Sequence, residues 1–128
     1  MKNYQEGTDF NIHMDEDGLI SAGSGLDQVT WMDVRVNDIL PTPRHGKPVE
    51  INAYWYNALC VMDMLAKELG YPGKYQKLAE KVKKSFTEKF WNEEKEWTQF
   101  MRSCILLMGF GRWIRTTWNL CRSMAANS

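Results

Sequence analysis

The chain has 128 residues, 44% of them hydrophobic, which is enough for one domain with a modest buried core. Its sixteen basic and sixteen acidic residues cancel, so no overall field attracts nucleic acid or an anionic membrane, and a neutral ligand is expected. No apolar stretch approaches the ~20 residues that a membrane-spanning helix needs, and no apolar segment follows Lys2 as it would in an export signal. These features predict a cytoplasmic protein that binds neither nucleic acid nor membrane.

The cysteines and histidines exclude several kinds of site. The three cysteines are odd in number, widely spaced and without a CxxC pair, so they predict reduced thiols rather than a disulfide framework or a zinc site. His13 and His45 lie far apart in sequence, without the spacing of metal ligands, and neither is near a cysteine. The sequence therefore predicts no metal, no cofactor and no cysteine-based catalysis.

Acidic residues are confined to the first part of the chain. All sixteen lie at or before Glu96, whereas residues 98–128 contain four arginines, no lysine and no acid. This change in composition predicts a partial domain over residues 1–97 and an atypical basic tail over residues 98–128. Two interpretations of the tail stay open: a basic terminal helix that bears tryptophans, or a segment unrelated to the domain.

A small β-hairpin is predicted near the N-terminus. Apolar and polar residues alternate around Ile12, and the acidic run at 15–18 ends in Gly18, a typical turn residue. The run also resembles a calcium-binding loop, but His13 and Ser24 would then occupy its first and last ligand positions. We therefore interpret the run as the turn of the hairpin.

Two helices are predicted in the second half of the acidic region. The first extends from Glu50 to Leu69, with Gly70 as its C-terminal stop. Its apolar residues recur at steps of three and four, at Trp55, Leu59, Met62, Leu65, Ala66 and Leu69. A second apolar stripe consists of Tyr75, Leu78, Ala79, Val82, Phe86 and Phe90. The short connection favours an antiparallel helical hairpin within an all-α fold, and such hairpins need further helices to cover their apolar faces.

Asp33 is the best candidate for acid chemistry. Hydrolysis of a glycosidic bond requires one carboxylic acid to protonate the leaving oxygen and a second carboxylate. In Thr30-Trp31-Met32-Asp33, the carboxylate lies two residues from an indole that can stack on a sugar and exclude water. The alternative is that Asp33 caps a helix beginning at Val34, which is a common role for aspartate.

Glu50 and Arg44 are candidates for binding. Glu50 stands between two apolar residues immediately after a loop, so a polar partner is expected to meet it. The alternative is that Glu50 only stabilises the first turn of its helix through the helix dipole. Arg44 is expected to hold a hydroxyl or to pair with Glu50, unless it is simply an exposed loop arginine. Trp55 is a helix aromatic, and such residues are more often core than binding surface.

Taken together, GTDFNIHMDEDGLISAG, QVTWMD, TPRHGKPVEINAYWYNAL and the following helical hairpin resemble the amylo-α-1,6-glucosidase domain of glycogen-debranching enzymes. The resemblance covers about residues 3–96. It implies part of an (α/α)6 toroid of helical hairpins, which removes α-1,6-linked glucose at branch points of glycogen with inversion. It assigns the general acid to Asp33, makes Arg44, Glu50 and Trp31 substrate contacts, and adds Trp55 as a further one. An α-glucan is the implied partner.

The sequence also departs from that family. The family's second catalytic carboxylate, the general base, lies in a later segment with an Arg-Pro-Asn pattern, which this chain lacks. The resemblance therefore implies a fragment that is inactive alone, since inversion needs two carboxylates with a water between them. Two other hypotheses stay open: a module that binds α-glucan without cleaving it, and a helical interaction module whose basic tail docks on a partner. Nothing in the sequence indicates the oligomeric state.

Overall fold

The computed structural model describes residues 1–31, 33–71, 73, 75–92 and 97–98. The chain divides into two compact units, Met1–Trp55 and Tyr56–Ser128. The described part is mostly helical with small antiparallel sheets, which confirms the fold class in its coarse form. The elements in chain order are α1 (Lys2–Glu6), β1 (His13–Met14), β2 (Ile20–Ser21), α2 (Val49–Glu68), α3 (Gln76–Phe90), β3 (Trp91–Asn92) and β4 (Trp97–Thr98).

The predicted hairpin is present in the first unit. Strands β1 and β2 pair antiparallel, with His13 opposite Ser21. The turn is closed by the Asp15 N–H, which donates to the Leu19 carbonyl at 2.9 Å, and Gly18 has a φ of 85°. A positive φ strains residues that carry a Cβ, so glycine suits this position. The acidic run is thus a turn, as its composition predicts.

Asn52 fixes this hairpin to the start of α2. Its side chain is fully buried, and its Oδ1 accepts the Ile20 N–H at 2.6 Å. Its Nδ2 donates to the carbonyls of Ile20 at 3.0 Å and Pro48 at 2.9 Å. One turn later the Trp55 indole N–H donates to the Gly18 carbonyl at 3.1 Å. Because buried backbone groups must be paired, these bonds determine where the hairpin lies on α2.

A second connection to the hairpin is ionic. The Lys47 ammonium lies 2.7 Å from carboxylate oxygens of both Asp15 and Asp17, in the hairpin turn. The hydrogen bond from Lys47 lowers the pKa of Asp15, in spite of the opposing effect of burial. Burial lowers the pKa of Lys47, but the bonds to Asp15 and Asp17 outweigh it, so the pKa is raised. Lys47 therefore holds the segment before α2 against the turn.

The second unit contains α3 and the rest of α2, whose two ends lie within one residue of the predicted Glu50 and Leu69. Gly70 ends α2 with a φ of 78°, and the Tyr71 N–H donates to the Ala66 carbonyl at 2.7 Å. The predicted core stripe of α2 is only partly right: Leu59 is fully buried, but Leu65 is 46% and Leu69 is 73% exposed. Periodicity shows which residues share a face, but it does not show what covers that face.

Helix α3 follows its predicted stripe more closely. Its buried residues are Ala79, Val82, Ser85 and Phe86. The rings of Phe86 and Phe90 lie 5.0 Å apart in a tilted arrangement, a favourable geometry for aromatic pairs. The side-by-side packing of the two helices as a hairpin stays a prediction.

Some elements were not predicted. Helix α1 and the β3–β4 pair, in which Trp91 lies opposite Thr98, have no counterpart in the sequence-based interpretation. The predicted tail lies outside the described residues except for Thr98, so both interpretations of it stay predictions, as do the proposed domain limits. No helix in the described part is long and apolar enough to span a bilayer.

Candidate functional site

The carboxylate of Asp33 is held by the backbone of the loop that precedes it. Its Oδ2 accepts the N–H groups of Val29 at 2.7 Å and Thr30 at 2.9 Å. The Gln28 side-chain amide donates to the Asp33 carbonyl at 2.9 Å, which closes the loop further. Asp33 is 6% exposed, and its Oδ1 is buried without a hydrogen-bond partner in the described part of the chain. One oxygen is therefore fixed by backbone amides, whereas the other has no hydrogen-bond partner among the described residues.

Asp33 does not cap a helix, so that alternative is wrong. Residues 34–48 contain no helix, and the Asp33 side chain bonds to amides that precede it rather than to amides that follow. The chain instead makes a tight turn in which Val36 and Ile39 exchange backbone hydrogen bonds of 2.9 and 3.0 Å. Asn37, inside this turn, has a φ of 53°, a conformation that asparagine tolerates better than most residues.

Glu50 lies in the first turn of α2 and is almost completely buried, at 1% exposure. Its Oε2 lies 2.9 Å from the Arg44 Nη2, and the Arg44 side chain is only 17% exposed. The predicted ion pair of Arg44 and Glu50 is thus confirmed. Glu50 also lies in the first turn of α2, as the alternative of stabilisation through the helix dipole requires. The other oxygen, Oε1, is buried without a hydrogen-bond partner in the described part.

The charge of Asp33 acts on Glu50. Burial raises the pKa of Glu50, and the charge of Asp33 raises it further, against the opposing effects of the Glu50 backbone N–H and Arg44. Both residues belong to the first unit. The first unit therefore contains two buried acids, each with one oxygen bonded to protein and one oxygen that lacks a hydrogen-bond partner in the described part of the chain.

Unused buried acceptors need an explanation, because most buried polar atoms have hydrogen-bond partners. An oxygen of an ionised carboxylate only accepts hydrogen bonds, so the partner of such an oxygen would be a donor. Hydroxyl groups are such donors, and a sugar presents several of them on a compact neutral ring. The arrangement suits a carbohydrate, and it agrees with the zero net charge of the chain.

Comparison with known families points to the same chemistry. A family model described as amylo-alpha-1,6-glucosidase matches residues 1–103. The chain belongs to the amylo-alpha-1,6-glucosidase family. The predicted resemblance is confirmed, and with it a relationship to glycoside hydrolases. No curated protein and no solved structure matches the chain.

In this member of the amylo-alpha-1,6-glucosidase family, the two predicted tryptophans have different environments. Trp31 is 53% exposed and lies two residues before Asp33, and its role as a stacking surface stays a prediction. Trp55 is 7% exposed, its indole N–H is bonded to the Gly18 carbonyl, and its ring lies 5.9 Å from that of Tyr4. Trp55 therefore supports the hairpin from the core, and its role as a substrate contact stays a prediction.

Sequence reasoning missed the backbone of the site. The amides of Val29 and Thr30 carry no side-chain signal, so only the structure shows that they fix the acid. The sequence-based interpretation considered His45 only as a metal ligand, although this residue follows Arg44 directly. Among the described residues, no group of three histidines, cysteines or acids could hold a metal ion.

Proposed function

We propose that this chain contributes the general acid and part of the sugar pocket of an inverting glycosidase. Its substrate would be α-1,6-linked glucose at branch points of glycogen or a related α-glucan. The observation that carries the proposal is the pair of interacting buried acids, Asp33 and Glu50, each with one unpartnered oxygen. The family match supports the glycosidase chemistry.

Asp33 is suited to the role of proton donor because its two oxygens differ. The backbone amides occupy Oδ2 and fix the orientation of the carboxyl group, so Oδ1 is the atom that would carry the proton to the leaving glycosidic oxygen. Holding a catalytic acid in one orientation favours proton transfer, which typically contributes 10²–10⁴-fold to the rate. Inversion also requires a second carboxylate ~6.5–9.5 Å away that activates water. We identify no base in this chain.

Glu50 and Arg44 are suited to binding rather than to proton transfer. Arg44 holds Oε2 of Glu50, which leaves Oε1 to accept a hydrogen bond from a sugar hydroxyl. Trp31 would provide the stacking surface.

We further propose that α2 and α3 form one helical hairpin of an (α/α)6 toroid. We also propose that the protein is cytoplasmic.

A module that binds α-glucan without cleaving it is the second candidate. The unused oxygens of Asp33 and Glu50 would accept sugar hydroxyls whether or not hydrolysis follows. In that case Asp33→Asn would retain saccharide affinity and no form of the protein would release glucose.

Saccharide binding tests the proposed site directly. We expect the chain to bind a branched α-limit dextrin, and we expect Glu50→Gln to weaken binding by about 10–100-fold, since a hydrogen bond to a charged group contributes ~1.5–3 kcal/mol. Glutamine can still accept from Arg44, so the fold should persist. Titration calorimetry of both proteins provides the measurement.

Asp63→Asn is the matched control. Asp63 is also buried, with one unpartnered oxygen and the other 2.6 Å from Lys67, but it belongs to the second unit. The control should bind dextrin as the parent does. Absence of dextrin binding by the parent, or equal affinity of Glu50→Gln, would refute the proposed site.

A further inference from the structure

His45 lies between Asp33 and Glu50 in the sequence and is not one of the proposed site residues. Its ring nitrogen Nε2 lies 3.0 Å from the backbone carbonyl of Asp27. A carbonyl only accepts, so Nε2 carries the proton and donates this bond. The bond joins residues 18 positions apart in sequence. It therefore connects two loops that are not neighbours along the chain.

One of these loops holds the acid. Asp27 closes a turn by accepting the Ser24 N–H at 3.0 Å on its Oδ2. Val29 and Thr30 follow two and three residues later, and their N–H groups orient the carboxylate of Asp33. The position of the Asp27 carbonyl therefore influences the position of the amides that hold Asp33.

The other loop holds the binding pair. His45 follows Arg44, whose guanidinium lies 2.9 Å from Glu50. On the other side of His45, the backbone of Gly46 exchanges hydrogen bonds of 2.8 and 2.9 Å with Ala22. His45 is thus set in a short segment that is fixed at one end to the hairpin and at the other to Glu50.

The imidazole is also closely packed. A Cβ at Gly23 would lie only 2.6 Å from the His45 Cδ2 and 3.1 Å from a methyl carbon of Val29. Gly23 has a φ of 81°, so a side chain there would be strained as well as crowded. The ring of His45 therefore lies against the backbone of Gly23, close to the side chain of Val29.

We propose that His45 is a positioning residue that couples the orientation of the Asp33 acid to the placement of the Arg44–Glu50 pair. It contacts no substrate itself and acts through the Asp27 carbonyl and the Val29 and Thr30 amides. The coupling follows from the contacts above, whereas its consequence for sugar binding rests on the proposed function.

Two variants separate the hydrogen bond from the packing. His45→Phe keeps a ring against Gly23 and removes the donor, whereas His45→Gln places an amide N–H near the position of Nε2 and keeps it. We expect His45→Phe to increase hydrogen exchange at the Val29 and Thr30 amides by about three- to tenfold, the factor that one neutral hydrogen bond commonly contributes. Dextrin affinity should fall by a similar factor, and His45→Gln should restore both quantities.

The Ile20 amide is the internal control, since its bond to the Asn52 side chain belongs to the same unit but not to this loop. A purely structural role would raise exchange at Ile20 by the same factor. An equal increase in exchange at Ile20 would overturn the proposal. So would unchanged exchange at Val29 and Thr30 in His45→Phe, or failure of His45→Gln to restore parental exchange and dextrin affinity. If exchange responds as expected but the parent binds no dextrin, the positioning role stands and the proposed function fails. If the parent binds dextrin but exchange at Val29 and Thr30 does not change, the positioning role fails and the proposed function stands.

Discussion

Replacing Asp33 by alanine is expected to cost about 2–4 kcal/mol of folding free energy, whereas replacing it by asparagine should change stability by less than ~1 kcal/mol. Alanine leaves the part-buried N–H groups of Val29 and Thr30 without their acceptor, and each donor left unsatisfied costs ~1–3 kcal/mol. Asparagine keeps an acceptor oxygen for both amides and removes a negative charge that acts on Glu50. Urea denaturation of the three proteins measures the difference.

The comparison of the two variants separates two roles of Asp33: the acceptor of the Val29 and Thr30 amide bonds, and the proposed proton donor. If asparagine and alanine destabilise the chain equally, the charge itself holds the loop, and the assignment of Oδ2 to the protein and Oδ1 to the ligand is wrong. If neither substitution changes stability, the two amide bonds contribute nothing measurable to the fold.

Asn52→Ala is expected to be the most damaging substitution for stability, at about 3–5 kcal/mol. It removes three hydrogen bonds made by a fully buried side chain, two with the Ile20 backbone and one with the Pro48 carbonyl. The Pro48 carbonyl keeps its bond from the Asn52 backbone N–H. Asn52→Asp should be similarly harmful, because the new oxygen would face two carbonyl acceptors. Chemical denaturation again provides the measurement.

Asn57→Ala is the matched control for Asn52, since Asn57 lies on the exposed side of the same helix. It should change stability by less than ~0.5 kcal/mol, as exposed substitutions usually do. Equal effects at the two positions would show that the hairpin is not anchored through Asn52.

Local patterns predicted the two long helices and the first hairpin, but not α1 or the β3–β4 pair. The helices α2 and α3 follow from apolar spacing and from Gly70, and the hairpin follows from the glycine-ended acidic turn, because each signal acts over a few residues. The pair of Arg44 and Glu50 was also within reach, since only six positions separate the two residues.

The rest depends on contacts that no local pattern records. The bond from His45 to Asp27 spans 18 positions and the bond from Asn52 to Ile20 spans 32. The amides that hold Asp33 are backbone groups, and the residue types at these positions do not show which amides bind a carboxylate. The same limit explains the N-cap alternative, which is typical of aspartate in general but was excluded by the turn at Val36 and Ile39.

The central claim is that Asp33 is the acid of a glycosidase whose base lies outside this chain. Glucose release from a branched α-limit dextrin tests it, with the chain alone, with the chain extended by the C-terminal portion of a family member, and with Asp33→Asn and Asp63→Asn in the extended form. We predict release by the extended chain and its Asp63→Asn control, none by the chain alone, and a loss of about 10²–10⁴-fold for Asp33→Asn. Hydrolysis by extended Asp33→Asn at the rate of its parent would contradict the account.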